Sequence, residues 1–387
     1  PYTGIEGHRA NSWANNFYKH SLFPIVICRH WNHIPKNWSE YQLEDQAPIN
    51  SSQEKEKKII YIPYLHKKFF KILSKTKLPF LLSGYYLWNR IIGNFHIELD
   101  TFYSYWHIAC DEIENAKVDA IIITSPPINL IKLGYKLSKK FQIPLIVDLR
   151  DSYDTNIFKT GYKSSLKRKS INIFYKLYFK KWLLKAKIIT TISKPFANML
   201  ASLLKKEVLV VTNGFEENLF NNVMSDKFIG QFVIAFIGTI YPEQDIEFVL
   251  NGLKEFIKDK SPYKVKIVFI GAKNNKAIAQ RIQTQISDEY LFITNKIERN
   301  EALTYTLSAQ VLLHIGWKGY KGIYSGKIFE YLGARRNILI APSDHDVLEN
   351  LIEETNAGKT VDTITQMVAA LNQWYKEWEI TGKLGYE

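Results

Sequence analysis

The chain has 387 residues, of which 46% are hydrophobic and 23% charged, a composition that excludes intrinsic disorder and a length that predicts two domains. Its two cysteines, Cys28 and Cys110, exclude a disulfide framework or a cysteine-based zinc site and agree with a reducing compartment. The net charge of +13 is unevenly distributed along the chain. Residues 1–200 hold 30 Lys and Arg against 15 Asp and Glu, whereas residues 201–387 hold 21 against 23. One domain is therefore expected to meet a polyanion, either nucleic acid or an anionic membrane face.

The first half alternates helices with short apolar strands. A helix is predicted over His8–His20, a buried strand over Phe23–Trp31 and a polar loop over residues 36–58. The further elements of this half are the strands Lys117–Pro127, Ile143–Asp151, Ala186–Ser193 and Lys206–Gly214, and the helix Asn129–Phe141. Continuous apolar strands between helices indicate a parallel sheet that is covered on both faces. The sequence opens at Pro1 with a turn-like segment, and we expect that a first strand of this domain precedes it.

The same alternation restarts after a polar seam at Thr212–Phe220. Strands are predicted at Gln231–Ile240, Tyr263–Ala272, Glu289–Ile297, Ala309–Gly316 and Arg336–Pro342. The pattern predicts an α/β protein of two doubly wound, Rossmann-like domains that face a cleft. The N-terminal domain spans 1–215 and the C-terminal domain 216–363, and a last helix at about 364–387 is expected to pack back on the N-terminal domain. Ligands of such sheets bind beyond the carboxyl ends of the strands.

A short polar motif precedes an apolar helical stretch in the second half. Ser325 and Gly326 fall where the backbone N–H groups of a helix start are free, and the helix dipole favours an anion there. Lys327 adds a positive charge, and Glu330 shares its helix face and can accept hydrogen bonds from ribose hydroxyls. The alternative is an exposed Lys–Glu pair on an ordinary capped helix, and spacing alone does not choose between the two.

The segment SGKIFEYLGARRNIL, Ser325–Leu339, resembles the donor-site signature of GT-B glycosyltransferases, specifically the family-4-like group that builds bacterial surface glycans. The resemblance covers most of the chain except about residues 36–110. It extends to the segments GIEGHR, IPLIVDLRDSY, TISKPFANML, VTNGFEENLF, IAFIGTI and IVFIGA. It implies a retaining hexosyltransferase-like enzyme that takes a nucleotide diphosphate sugar as its donor and needs neither a bound metal nor another cofactor.

The resemblance also implies roles for individual residues. The donor phosphates or sugar would face Gly238 and Thr239, and the base would contact the backbone near Lys296 and Ile297. The diphosphate would lie at Ser325, Gly326 and Lys327, with the ribose at Glu330 and with Gly7 completing the phosphate cradle. Arg150 and Asp151 stand where family members keep an acceptor- or sugar-contacting residue, and together with Lys327 they are the predicted catalytic residues.

The sequence departs from the family pattern at two places. The family's first glutamate, eight residues before the one that binds ribose, falls at Gly322, and Lys318 or Lys321 is a possible source of the charge that binds donor instead. The lysine that often follows the first strand of the nucleotide domain is absent, and YPEQD, Tyr241–Asp245, stands there. These two departures bear on the identity of the donor and on the catalytic geometry more than on the assignment to the glycosyltransferase class.

Two further motifs allow a structural or a functional interpretation. Asp344, His345 and Asp346 imitate a metal-binding Asp-x-Asp, but their place after Pro342 favours a cap on the next helix. His314 ends an apolar strand, where a packed histidine is the commoner case, although this position points into the predicted cleft. We predict no metal site.

A basic segment, Phe158–Lys187, holds ten Lys and Arg and no acidic residue. The lysines Lys169, Lys176, Lys180 and Lys187 form a helical stripe beside the apolar residues Leu166, Ile173, Leu177 and Leu184. Tyr64–Lys77 is similar. Such a stripe suits an anionic membrane surface. The alternative is that the apolar stripe packs on the sheet and the lysines are only solvated. Nucleic acid is disfavoured because no recognised nucleic-acid module is visible.

Together these observations predict a glycosyltransferase of polysaccharide biosynthesis. It would move a sugar to a glycan or lipid-linked acceptor, as a cytoplasmic protein held peripherally on the inner face of the cell membrane. A nucleotide-sugar epimerase of the same fold is one alternative. A non-catalytic, membrane-bound partner subunit is another, and Gly322 is the feature that favours it.

Overall fold

A computed structural model of the chain describes residues 5–31, 47–63, 103–125, 129–150, 179–216, 218–221, 223–225, 227–241, 244–317, 319–382 and 384. The chain forms two compact units. The first comprises Pro1–Ile192 and Phe196–Val211, and the second Ser193–Pro195 and Thr212–Glu387. Each unit contains parallel β-strands connected by helices, as the alternating pattern predicts.

The described residues of the first unit form two sheets. Its strands are β1 (Ile25–Arg29), β2 (Asn50–Gln53), β3 (Lys58–Ile62), β4 (Ile121–Ser125), β5 (Leu145–Leu149), β6 (Ile188–Thr191) and β7 (Leu209–Val210). Its helices are α1 (Ile5–Asn16), α2 (Tyr103–Asn115), α3 (Asn129–Phe141) and α4 (Lys194–Leu204), the last of which begins in residues that cluster with the second unit. The strand orders are β1-β3-β2 and β4-β5-β6-β7, and the second of these sheets is parallel throughout.

One prediction for this unit is wrong in part. Residues 36–58 were expected to form a loop, yet β2 lies within them and pairs antiparallel with β3. The strand was missed because its sequence, NSSQ, is polar. β2 is the last strand in the order β1-β3-β2, and its residues are mostly exposed. Such a strand is held by backbone hydrogen bonds to its neighbour and carries no apolar alternation that would identify it.

The second unit is built on one six-stranded parallel sheet in the order β10-β9-β8-β11-β12-β13. The strands are β8 (Phe232–Ile237), β9 (Val265–Ile270), β10 (Leu291–Ile293), β11 (Val311–His314), β12 (Asn337–Ile340) and β13 (Gly358–Thr360). The helices are α5 (Ile246–Ile257), α6 (Lys276–Gln285), α7 (Arg299–Ser308), α8 (Gly326–Ala334), α9 (Val347–Thr355) and α10 (Ile364–Thr381). Of these strands, β13 was not predicted from the sequence.

Both faces of this sheet are buried, which explains its continuous apolar strands. In β8, Phe232, Ile234 and Phe236 belong to one core, and Val233 and Ala235 belong to the core on the opposite face. Successive side chains of a strand point to opposite faces, so a strand between two helical layers must be apolar at every position.

The last helix packs on the second unit. Its packing against the first unit stays a prediction. Met367, Leu371 and Trp374 of α10 are buried in the core that also contains α5. The ring centroid of Phe232 in β8 lies 5.5 Å from that of Tyr375. The aromatic and aliphatic face of α10 therefore completes the helical layer over its own sheet. No helix among the described residues is long and apolar enough to cross a membrane.

Candidate functional site

Several predicted site residues meet at the carboxyl edge of the six-stranded sheet. Gly238 and Thr239 follow β8, and His314 is the last residue of the adjacent strand β11. The chain then leads through a loop to Ser325, which directly precedes α8. Because parallel strands all end at the same edge, residues far apart in sequence are close together here.

Lys327 turns back over the end of β8. Its Nζ donates a hydrogen bond to the carbonyl oxygen of Thr239 at 3.0 Å and lies 4.1 Å from the ring centroid of Phe236. Gly238 makes room for it: its φ is +112°, and a Cβ there would stand 2.7 Å from Cε of Lys327. A side chain at residue 238 would therefore be strained and would also displace the lysine.

The environment of Lys327 changes its protonation. Desolvation by the surrounding protein lowers the pKa of its ammonium group to about 7. A lysine with such a pKa is only partly charged near neutral pH, since desolvation disfavours the charged form. A bound anion would favour the charged form again.

The start of α8 carries unused backbone donors. Ser325 has the extended backbone of a helix cap, with φ −82° and ψ 147°, but its side chain makes no capping hydrogen bond. Among the described residues, the N–H groups of Gly326 and Lys327 have no hydrogen-bond partner, and the first turn contains no acidic residue. Free N–H groups at a helix N-terminus, together with the helix dipole, favour an anion.

His314 lies beneath this helix start. It is 2% exposed, and its Nε2 lies 2.6 Å from Oγ of Ser325. Burial, with a further contribution from the positive charge of Lys327, lowers the pKa of the imidazole to about 3, so the ring is neutral. The sequence left open whether His314 is a packed residue or a site residue. The structure shows that it is buried and also bonded to a predicted site residue.

Glu330 has a partner that the sequence did not reveal. Its Oε1 accepts a hydrogen bond of 2.8 Å from Arg299, the first residue of α7. Both side chains are partly exposed, so the pair is accessible from solvent. Arg299 is separated from Glu330 by 31 positions, and no local pattern indicates that the two meet.

Two further polar side chains fix the strand ends around the site. The hydroxyl of Tyr331, on α8, accepts a hydrogen bond of 2.9 Å from the N–H of Ile237, the last residue of β8. The buried amide of Gln244 accepts one from the N–H of Tyr241 at 3.0 Å and donates one to the carbonyl of Ile315 at 2.7 Å. Gln244 thus joins the loops after β8 and β11, in the segment where the family lysine is missing.

The loop that carries Gly322 is held against the turn before α9. The N–H of Gly322 donates to the carboxylate of Asp346, and Nζ of Lys321 donates to the carbonyl of His345 at 2.7 Å. Lys321 is therefore engaged by a backbone carbonyl, and Lys318 lies outside the described residues.

The Asp-x-Asp segment caps a helix, as predicted. Asp344 is buried, and its carboxylate accepts hydrogen bonds from the backbone N–H groups of Asp346, Leu348 and Glu349 at 3.0 to 3.1 Å. Over the described part of the chain, no group of three or more His, Cys, Asp or Glu side chains is arranged to hold a metal ion.

The predicted base-contacting backbone lies after β10. The N–H of Lys296 donates to the side-chain oxygen of Asn274 at 3.1 Å, and Ile297 packs partly buried against the core that contains α8. The structure therefore brings the residues of the second unit that were predicted to bind donor to one sheet edge: Gly238, Thr239, Lys296, Ile297, Ser325, Gly326, Lys327 and Glu330.

The remaining predicted site residues belong to the first unit. Gly7 lies in the first turn of α1, and Arg150 directly follows β5, with its N–H donating to the carbonyl of Ser125 at 3.0 Å. Asp151 lies outside the described residues, as do Lys169 and Lys176. Of the other two lysines of the basic stripe, Lys180 is half-buried and Lys187 is exposed.

The first unit contains a buried ion pair that the sequence did not predict. Arg9 of α1 binds both carboxylate oxygens of Asp148 in β5, at 2.9 and 3.0 Å. The hydroxyl of Thr190 in β6 donates to the same carboxylate at 2.6 Å. Asp148 is fully buried. The segments GIEGHR and IPLIVDLRDSY, which carry the resemblance, are therefore in direct contact.

The described end of the basic segment is helical over residues 179–185. Trp182 and Leu183 are buried in the core of the first unit, whereas Leu184 is 46% exposed. The predicted apolar stripe includes Leu184, but at this position the helix packs on the core through Trp182 and Leu183 instead.

No protein-family model matches the sequence, and no curated protein matches it. Solved structures share its fold. Sucrose-phosphate synthase from Thermosynechococcus elongatus has a TM-score of 0.59 at 11% identity, over 98% of this chain and 85% of that one. The α,α-trehalose 6-phosphate synthase of Burkholderia multivorans has a TM-score of 0.55 at 11% identity, over 91% and 90%. HepE from Anabaena in complex with UDP has a TM-score of 0.50 at 14% identity, over 68% and 71%.

At these identities the likeness shows the fold alone. It is the GT-B fold of two Rossmann-like α/β domains, which the sequence predicted.

Proposed function

We propose that this protein is a glycosyltransferase that takes its sugar from a nucleotide diphosphate sugar. The observation that carries the proposal is the position of Lys327, folded over Gly238 beside the free N–H groups at the start of α8. When the bond between sugar and phosphate breaks, the departing nucleoside diphosphate gains negative charge. A preorganised lysine and helix N-terminus stabilise that charge in the transition state.

The rest of the donor assignment follows from the same edge of the sheet. Glu330, close to the helix start and partly exposed, accepts hydrogen bonds from the ribose hydroxyls, and the backbone of Lys296 and Ile297 contacts the base. The fold is shared with two enzymes named as synthases of sugar phosphates and with a protein solved in complex with UDP, which supports a nucleotide sugar as donor. Transfer with retention and without a metal is part of the proposal, as are the roles of Gly7, Arg150 and Asp151 toward phosphate, sugar and acceptor.

Product analysis tests the reaction class. The protein is incubated with a panel of nucleotide diphosphate sugars, with and without glycan and lipid-linked acceptors, and the products are identified by mass spectrometry and NMR. We expect a glycosylated acceptor and a free nucleoside diphosphate. An epimerised donor sugar without transfer would establish the epimerase alternative. A donor that binds but is never converted would establish the non-catalytic subunit.

We further propose that the acceptor is presented at an anionic membrane surface. Leu184, Lys185 and Lys187 are exposed within four positions of the basic segment, so lysines stand close in sequence to an apolar side chain that is free to contact lipid. Changing Lys169, Lys176, Lys180 and Lys187 to Gln should weaken binding to anionic vesicles and spare transfer to a soluble acceptor analogue. Equal losses in both assays would show that the segment is structural and would refute the membrane role.

A further inference from the structure

Ser325 occupies the cap position of α8 without capping it. A serine at this position normally accepts a hydrogen bond from the second or third N–H of the helix. Here its Oγ lies 2.6 Å from Nε2 of His314 instead. The helix therefore gives up a stabilising cap, and the N–H groups of Gly326 and Lys327 stay available.

The surroundings of His314 indicate which atom carries its proton. The ring is 2% exposed and neutral, and a neutral imidazole has one N–H and one acceptor nitrogen. Nδ1 is buried, and in the described part of the chain it makes no hydrogen bond of ordinary geometry. A weaker contact of the ring with the backbone of Ile315 only partly opposes the fall in its pKa. Buried donors without a partner are rarer in proteins than acceptors without one. This preference places the proton on Nε2, which then donates to Oγ of Ser325.

That tautomer gives the serine a defined task. If Oγ accepts from Nε2, the hydroxyl proton of Ser325 cannot point at the ring and is free to be donated elsewhere. We propose that His314 is a positioning residue, which draws the Ser325 hydroxyl off the helix end and turns its O–H toward a phosphate oxygen bound at the N–H groups of Gly326 and Lys327. The ligand class is the diphosphate of a nucleotide sugar, so this inference rests on the proposed function.

Calorimetric titration with inorganic pyrophosphate tests the proposal. We expect His314→Phe and Ser325→Ala each to weaken binding about tenfold, the loss of one hydrogen bond to a charged group. The double variant should bind no more weakly than Ser325→Ala, because both changes remove the same contact. Unchanged binding by His314→Phe, or losses that multiply in the double variant, would overturn it.

Two measurements separate positioning from a merely structural role. His314→Gln places an amide donor in reach of Ser325 and should recover most of the affinity that His314→Phe loses, at equal melting temperature. In the unmodified protein, side-chain ¹⁵N NMR should show His314 protonated at Nε2 and not at Nδ1. The opposite tautomer contradicts the proposal even if the Phe variant fails to fold.

Lys327→Met distinguishes failure of this inference from failure of the donor site. If Lys327→Met binds pyrophosphate as well as the parent protein, the donor site itself is wrong. If Lys327→Met binds weakly but His314→Phe and Ser325→Ala bind normally, the donor site stands and only the role of His314 is refuted.

Discussion

The ammonium group of Lys327 lies 3.0 Å from the carbonyl oxygen of Thr239, so a residue of α8 reaches back to the loop that follows β8. This contact joins the helix start to the turn at Gly238, where the chain adopts a conformation that favours glycine. A positive charge, free backbone N–H groups and a close backbone turn thereby share one small region. The predictions below follow from this arrangement and from the buried ion pair of the first unit.

Lys327→Met should weaken nucleoside diphosphate binding by roughly 1.5–3 kcal/mol, since it removes one charge-assisted hydrogen bond and keeps the alkyl contact with Phe236. The melting temperature should stay unchanged or rise, because the variant no longer buries a partly desolvated amine. Titration calorimetry and thermal denaturation measure the two effects. Lys254→Met, at an exposed lysine of α5, is the matched control and should bind as the parent does. Equal binding by both variants would rule out Lys327 as a phosphate contact.

The affinity for pyrophosphate should fall as the pH rises above about 7. The pKa of Lys327 is lowered to about 7 in the free protein, and a bound anion raises it, so binding takes up a proton between the two values. The decrease from this source is at most about tenfold per pH unit, and it levels off below pH 7, where the lysine is already charged. Comparison with Lys327→Met at each pH cancels the titration of pyrophosphate itself. Parallel pH profiles for the two proteins would contradict the assignment.

Gly238→Ala should reduce both stability and nucleotide binding. The alanine is strained at φ +112°, at roughly 1–3 kcal/mol, and its Cβ also displaces Cε of Lys327. Gly230→Ala is a matched control, because its φ is +77° but a Cβ there meets no atom within 4 Å. We expect both variants to melt at lower temperature and only Gly238→Ala to lose affinity in titration calorimetry. If Gly230→Ala loses as much affinity, the effect is general strain and not displacement of Lys327.

Asp148→Ala should destabilise the first unit by about 3–5 kcal/mol, because it leaves Arg9 buried without its carboxylate. Chemical denaturation measures the unfolding free energy. Glu114→Ala, which breaks the exposed pair with Lys140, is the control and should change stability little. A small effect of Asp148→Ala would show that water or another residue replaces the carboxylate.

The sequence predicts those parts of the fold that depend on local pattern. The strands of the second sheet are continuous apolar runs because both of its faces are buried, and the start of α8 is marked by Ser325 and Gly326. By contrast, Asn50–Gln53 is polar and held only by its pairing with β3, so its strand character is invisible locally. For the last helix, the apolar face predicts burial but does not identify the surface that buries it.

Within the site, too, residues marked by a local sequence pattern were predicted, and contacts made by the tertiary fold were not. Lys327 and Glu330 were predicted from spacing and resemblance. Arg299 meets Glu330, and His314 meets Ser325, only because neighbouring strands and helices bring together residues 31 and 11 positions apart. Arg9 and Asp148 are 139 positions apart, and nothing in either segment alone indicates their pairing. Interactions of this kind are set by the tertiary fold, which spacing along the chain does not encode.

The most direct test of the central claim is a crystal structure of the protein with a nucleoside diphosphate, chosen by titration from UDP, GDP, ADP and dTDP. We predict that the diphosphate lies against the N–H groups of Gly326 and Lys327, with Nζ of Lys327 moved from Thr239 to a phosphate oxygen and the ribose hydroxyls at Glu330. A diphosphate bound elsewhere, with Lys327 still on Thr239, would contradict the donor site and the glycosyltransferase function built on it.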